Sequence, residues 1–133
     1  MIVVDTNVVV ALVAPWQLSS EAEAAFELDD EWAAPLLWRS ELRSTLLRMM
    51  RNGTLTLADA LGVADTATGL FRRNEYAVPD DDVLALAIGS GCSDYDCEFV
   101  ALAAGLGIPL ITLDRKLARA FPDHAVMLPD YVA

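Results

Sequence analysis

The chain opens on an unbroken apolar run, Ile2-Val3-Val4, that stops at Asp5-Thr6-Asn7. A short continuous apolar stretch bounded by polar residues reads as a strand buried on both faces. The same signature recurs, giving predicted strands at 2–5, 32–34, weakly 76–78, 109–113 and 125–128. Apolar positions repeating at three- and four-residue intervals predict helices at about 6–14, 19–29, 37–51, 55–72, 81–90, 94–106 and 114–120. Pro15, Pro35, Pro79, Pro109 and Pro122 fall at boundaries, as do Asn52-Gly53 and Gly89-Ser90-Gly91. Strands alternating with helices predict an α/β fold with a parallel sheet covered on both faces. Without a repeat, a linker or a low-complexity tract, residues 1–133 are expected to form one domain.

Two helical segments carry more than a core stripe. In 37–51, Leu42, Leu46, Met49 and Met50 make the apolar side, whereas Glu41, Ser44, Thr45 and Arg48 share another face. That polar face is either an ordinary solvated surface or the lining of a groove. Segment 55–72 has a broad apolar surface whose default role is core packing. Together with 37–51 it also offers a docking groove for a partner.

Composition narrows the class. With 55% hydrophobic residues the chain should bury much surface, some of it between subunits. The longest apolar stretch, Phe99 to Leu113, is interrupted by Gly105, Gly107 and Pro109, and is shorter than the roughly 18 residues of a spanning helix. No basic segment precedes the first strand, so no secretory signal is visible. A soluble, cytoplasmic protein is expected. Cys92 and Cys97 provide neither a disulfide framework nor zinc-ligand spacing, and are expected to be small packed thiols. His124, the single histidine, is read as structural.

Net charge is -11, which taken alone argues against nucleic acid as a partner. The distribution says more. Residues 1–38 carry seven acids and no base, and residues 74–114 eight acids and no base. All nine bases fall in three clusters: Arg39, Arg43, Arg48 and Arg51; Arg72 and Arg73; Arg115, Lys116 and Arg119. Two of these clusters adjoin Glu41 and Asp114.

Four acids then stand out by position. Asp5 and Asp114 follow predicted buried strands, Asp96 begins the helix preceding the second of them, and Glu41 lies early in its helix. Each has an ordinary local explanation. Asp5 and Asp114 could cap helices, Ser93-Asp94-Tyr95-Asp96 fits a capping box, and Glu41 could pair with nearby arginines. In a parallel sheet, however, Asp5, Asp96 and Asp114 emerge at the carboxyl edge, where ligands bind. Two carboxylates about 4 Å apart repel by roughly 1–4 kcal/mol, so a cluster needs a cation or shifted pKa values. An all-oxygen donor set favours Mg²⁺ or Mn²⁺ over zinc.

These residues carry a resemblance. Val3-Val4-Asp5-Thr6-Asn7, Ser40-Glu41-Leu42, Tyr95-Asp96-Cys97-Glu98-Phe99-Val100-Ala101-Leu102-Ala103 and Pro109-Leu110-Ile111-Thr112-Leu113-Asp114 occur in the order and spacing of PIN-domain ribonucleases. Within that group the chain resembles the VapC-type toxins of toxin–antitoxin pairs, along its whole length. The resemblance implies a parallel five-stranded sheet sandwiched by helices. It also implies an acidic metal site of Asp5, Glu41, Asp96 and Asp114, with Thr6, Asn7 and Thr112 as supporting polar residues. RNA cleavage with Mg²⁺ or Mn²⁺, homodimers and an antitoxin partner are further implications. Arg48, Arg115 and Lys116 are candidate contacts to RNA. Asp94 is an extra acid that is either a further ligand or a cap.

Two other functions compete. A Mg²⁺-dependent phosphatase with an aspartyl nucleophile wants a second Asp two residues after the first, where this chain has Asn7, and a placed lysine, for which only Lys116 exists. A catalytically inert PIN-like module that only binds a partner or RNA is the other. Mn²⁺ binding separates it from an enzyme.

Overall fold

The computed structural model describes residues 1–133. Ile2–Val4 forms β1, fully buried and flanked on both sides by other strands, as its unbroken apolar character requires. The chain continues as α1 (Thr6–Val13), α2 (Ser20–Leu28), β2 (Trp32–Pro35), α3 (Trp38–Arg51), α4 (Leu57–Phe71) and β3 (Glu75–Tyr76). There follow α5 (Asp80–Ser90), α6 (Asp94–Leu106), β4 (Leu110–Thr112), α7 (Arg115–Ala120), β5 (Ala125–Met127) and α8 (Leu128–Val132). Five parallel strands lie in the order β3-β2-β1-β4-β5, with Val3 in register with Ala33 on one side and Leu110 on the other. Helices cover both faces, giving the expected three-layer α/β/α arrangement.

This strand order positions everything functional. The chain builds outward from β1 through β2 to β3, then returns to place β4 on the other side of β1. The crossovers leaving β1 and β4 therefore diverge, opening a crevice at their carboxyl ends. The Asp5 amide donates to the Ile111 carbonyl at 3.0 Å, so the two strand ends are pinned side by side at that crevice.

The core explains the persistence of this arrangement. Val8 and Val9 of α1, Phe99, Val100 and Ala103 of α6, and Ile111 of β4 are essentially inaccessible. Trp38 at the start of α3 packs against Phe71 at the end of α4, the ring centroids 4.5 Å apart and the planes tilted by 40°, fastening the two helices together. Cys92 and Cys97 are both free and buried, in keeping with small core thiols.

Several boundaries differ from the sequence reading. The weak third strand falls at Glu75–Tyr76 rather than 76–78, as a two-residue edge strand. Its acid is acceptable there because Arg39 grips Glu75 with two bonds of 2.7 Å and the Trp38 indole donates to it at 3.0 Å. Helix α4 begins after Thr56, which forms a reciprocal capping box with Asp59, so Leu55 lies outside it. The last helix, α8, lies beyond the elements predicted above. Leu128 ends no strand; it is fully buried and begins a short helix with proline in its first turn.

Candidate active site

Asp5 occupies the N-cap position of α1, yet its side chain makes no capping bond. It turns instead across the sheet, where Thr112 on β4 donates to Oδ2 at 2.8 Å. Asp5 is 8% exposed and Thr112 is fully buried. Thr112 Oγ1 also accepts the Asp114 amide at 3.0 Å, so one hydroxyl orients the first acid and fixes the backbone of the fourth. Thr6, again buried, donates to Glu41 Oε1 at 2.8 Å, tying α1 to the first turn of α3.

The local explanations fare differently at each acid. Glu41 is not paired with an arginine, because neighbouring Arg39 is taken by Glu75. At the head of α6, the Ser93 side chain accepts the Asp96 amide at 3.0 Å. The reciprocal half of a capping box is absent, which leaves the half-buried Asp96 carboxylate uncommitted. Asp114 does cap its helix, accepting the Leu117 amide through Oδ1 at 3.2 Å. Its second oxygen has no partner in the protein.

Electrostatically the cluster is one-sided. Burial raises the pKa of Asp5, against the lowering effect of the Thr112 hydrogen bond, and the charges of Asp96 and Asp114 push it up further. Glu41 is raised by burial first and then by the charges of Asp5, Asp96 and Glu98, while Thr6 pulls it down. The three ion pairs of the protein, Met1–Asp29, Arg39–Glu75 and Arg72–Asp30, include none of these acids. Negative charge is thus concentrated at the crevice without a counterion.

Such a donor set suits a hard divalent cation held by oxygen atoms, and two of its members are already oriented by threonine hydroxyls. As the side chains stand, no three acids surround a common point at ligating distance. The fit therefore rests on the chemistry and lack of neutralisation of the cluster.

The remaining sequence candidates separate clearly. Thr6 and Thr112 each donate a hydrogen bond to one of the acids. Asn7 is exposed, and its side chain makes no hydrogen bond within the protein. Arg48 is exposed two turns along α3 from Glu41, and Arg115 and Lys116 are exposed beside Asp114. Asp94 is exposed in the first turn of α6 and lines a cavity of 240 Å³ with Glu98 and Asp80. Glu98 is an acid that the sequence reading passed over within its own motif. It is half-buried, and its charge reaches Glu41. The i, i+4 spacing of Asp94 and Glu98 was the available signal, since it places both on one side of α6.

A five-stranded parallel sheet with unneutralised acids at its switch point defines an α/β protein with an acidic crevice at the carboxyl edge of its sheet. The PIN domain family model matches residues 2–121, and the chain belongs to that family. Ribonuclease VapC3 of Pyrobaculum aerophilum is 34% identical over 124 residues, covering 91% of this chain and 95% of that protein. Ribonuclease VapC3 of Mycobacterium tuberculosis is 32% identical over 133 residues, covering 94% and 91% respectively. Among solved structures, PAE2754 from Pyrobaculum aerophilum superposes with a TM-score of 0.78 at 23% identity, covering 98% of this chain and 92% of that one. A toxin–antitoxin complex from Klebsiella pneumoniae superposes with a TM-score of 0.70 at 19% identity, covering 96% and 98%. These two likenesses establish the shared fold.

Proposed function

We propose that the chain is a Mg²⁺- or Mn²⁺-dependent endoribonuclease and the toxin of a toxin–antitoxin pair. The observation that carries this reading is the buried, threonine-oriented Asp5 at the switch point, within reach of the charges of Asp96 and Asp114 and acting on Glu41, with no basic side chain paired to any of the four acids. The ribonuclease names of relatives matching over nine-tenths of the chain support the choice of RNA.

The four acids would hold the ion. When bound, a divalent ion of this kind supplies an activated water and offsets charge on the phosphodiester oxygens. Thr112 keeps Asp5 facing the crevice, and Thr6 keeps Glu41 from swinging into solvent. A histidine base has no place in the scheme, since half-buried His124 lies on the approach to β5. Hydrolysis without a covalent intermediate also fits exposed Asn7, which stands where an aspartyl phosphatase would want an acid. Arg48, Arg115 and Lys116 would hold the substrate backbone.

Exposed apolar surface supports the two protein partners. Leu84 and Ile88, one turn apart on α5, are 63% and 89% exposed and suit a homodimer contact. Leu47 on α3 with Leu57 and Leu61 on α4 would receive an apolar segment of the antitoxin. No helix is long and apolar enough to cross a membrane, and cytoplasmic action matches an RNA substrate.

The test is cleavage of RNA by the purified protein with Mg²⁺, Mn²⁺ or EDTA, beside Asp5→Asn. Metal-dependent cutting by the native protein alone is expected. An Asp5→Asn protein that cuts at the native rate would sink the assignment, and a native protein that neither binds Mn²⁺ nor cuts RNA would leave an inert binding module.

A further inference from the structure

A cleft of about 590 Å³ lies between α7 and the corner joining β5 to α8. One wall carries Arg115 and Arg119, the floor includes Val126 and Met127, and Asp130 stands on the α8 side. The cleft begins one residue past Asp114, because Arg115 directly follows it. Arg115 and Arg119 are one turn apart, so their stems rise about 5–6 Å from each other on one side of the helix. Both are exposed and neither has a carboxylate partner, in a chain of net charge -11. Buried Leu117 between them seats α7 in the core, so the arginines are presented from a fixed support.

We propose that this cleft is a substrate subsite that receives a nucleotide of single-stranded RNA adjoining the scissile bond. The inference rests on the ribonuclease reading and deepens it. Arg115 and Arg119 would contact successive phosphates, and the half-buried Val126 and Met127 would lie under a base. Asp130 can only accept hydrogen bonds when ionised, which suits a ribose 2′-hydroxyl or a base amino group and repels phosphate. That polarity orients the strand, with its backbone along α7 and its sugar or base edge toward α8. Arg119, which the motif-based reading left out, is on this account a specific RNA contact.

The experiment is anisotropy binding of a short fluorescent single-stranded RNA in EDTA, so that no strand is cut, across a series of salt concentrations. The proteins are native, Arg119→Ala, Arg119→Lys and, as a control on the opposite edge of the sheet, Arg73→Ala. Removing one phosphate contact lowers the slope of log affinity against log salt by about 0.7 for a single strand. Arg119→Ala should show that drop with several-fold weaker binding, Arg119→Lys should restore most of the slope, and Arg73→Ala should match native. Replacing phosphates singly by methylphosphonates should weaken native binding at one position to which Arg119→Ala is indifferent. An Arg119→Ala slope equal to native overturns the proposal. So does an Arg119→Ala protein that loses a glutamate-rich peptide but keeps its RNA affinity, which would make the cleft a protein-docking site. These results are independent of cutting: a native protein that cleaves RNA while Arg119→Ala binds normally loses only the subsite. One that binds through Arg119 and never cuts with Mn²⁺ loses the nuclease reading.

Discussion

Asp5→Asn should make the metal-free protein more stable while removing its activity. Asp5 is a buried carboxylate whose pKa is raised by desolvation and by Asp96 and Asp114. An acid whose folded pKa lies above its unfolded one favours the fold while protonated. That contribution is present below the unfolded pKa, near 4, and is lost as pH rises through the folded value. At neutral pH the ionised group therefore weakens the apo fold. The amide keeps an oxygen to accept the 2.8 Å bond from Thr112, so the change from a charged to a neutral acceptor costs about 1 kcal/mol. Against this, the repulsion removed is roughly 1–2 kcal/mol per acidic neighbour at an effective dielectric of about 20. Two neighbours therefore outweigh the weakened bond by roughly 1–3 kcal/mol, before the relieved desolvation adds to it, which for a domain of this size raises Tm by at least about 3–10 °C. Calorimetry in EDTA at pH 7 measures it, and the advantage should shrink toward pH 4. Mn²⁺ should raise the native Tm and leave Asp5→Asn nearly unmoved. An apo Asp5→Asn protein melting at or below the native temperature would refute the electrostatic reasoning.

Thr112→Val keeps the β-branched shape but leaves Asp5 and the Asp114 amide without their shared hydroxyl; a loss of about 1–3 kcal/mol is expected in urea unfolding, together with weaker Mn²⁺ binding. Thr6→Val frees Glu41, so the Mn²⁺ concentration for half-maximal cleavage should rise several-fold while the melting temperature changes by only a few degrees. Ile88→Glu places a charge on an 89% exposed apolar position, and sedimentation should show dimers giving way to monomers with the circular dichroism spectrum retained.

How far the sequence alone reaches depends on the kind of signal. The central strands were legible because β1 and β4 are buried on both faces and are apolar except for Thr112, whose hydroxyl is taken up by Asp5. Glu75–Tyr76 was weak in sequence because an edge strand of two residues is held by Arg39 and Trp38, partners 36 and 37 positions away. Helix α8 was hidden because Leu128 looks like a continuation of Ala125-Val126-Met127; only its docking in the core turns the chain there. At the site, the acids could be chosen from their places at strand and helix ends. What separates them from caps is not local. Asp5 forgoes its own helix for Thr112, 107 residues away, and Glu41 takes Thr6 rather than an arginine. Glu98 went unremarked because its contribution is a charge felt by Glu41 across two helices.

Single-turnover cleavage of labelled RNA as a function of Mn²⁺ concentration, with native and Asp96→Asn proteins side by side, tests the metal-site claim most directly. Asp96 is half-buried and its carboxylate supports no structural bond, so its amide variant should fold normally. The account predicts saturable activation of the native protein, abolition by EDTA, and a rate at least about 100-fold lower for Asp96→Asn, the scale of losing several kcal/mol of transition-state stabilisation. Cleavage that persists in EDTA, or an Asp96→Asn curve superimposable on the native one, would contradict it.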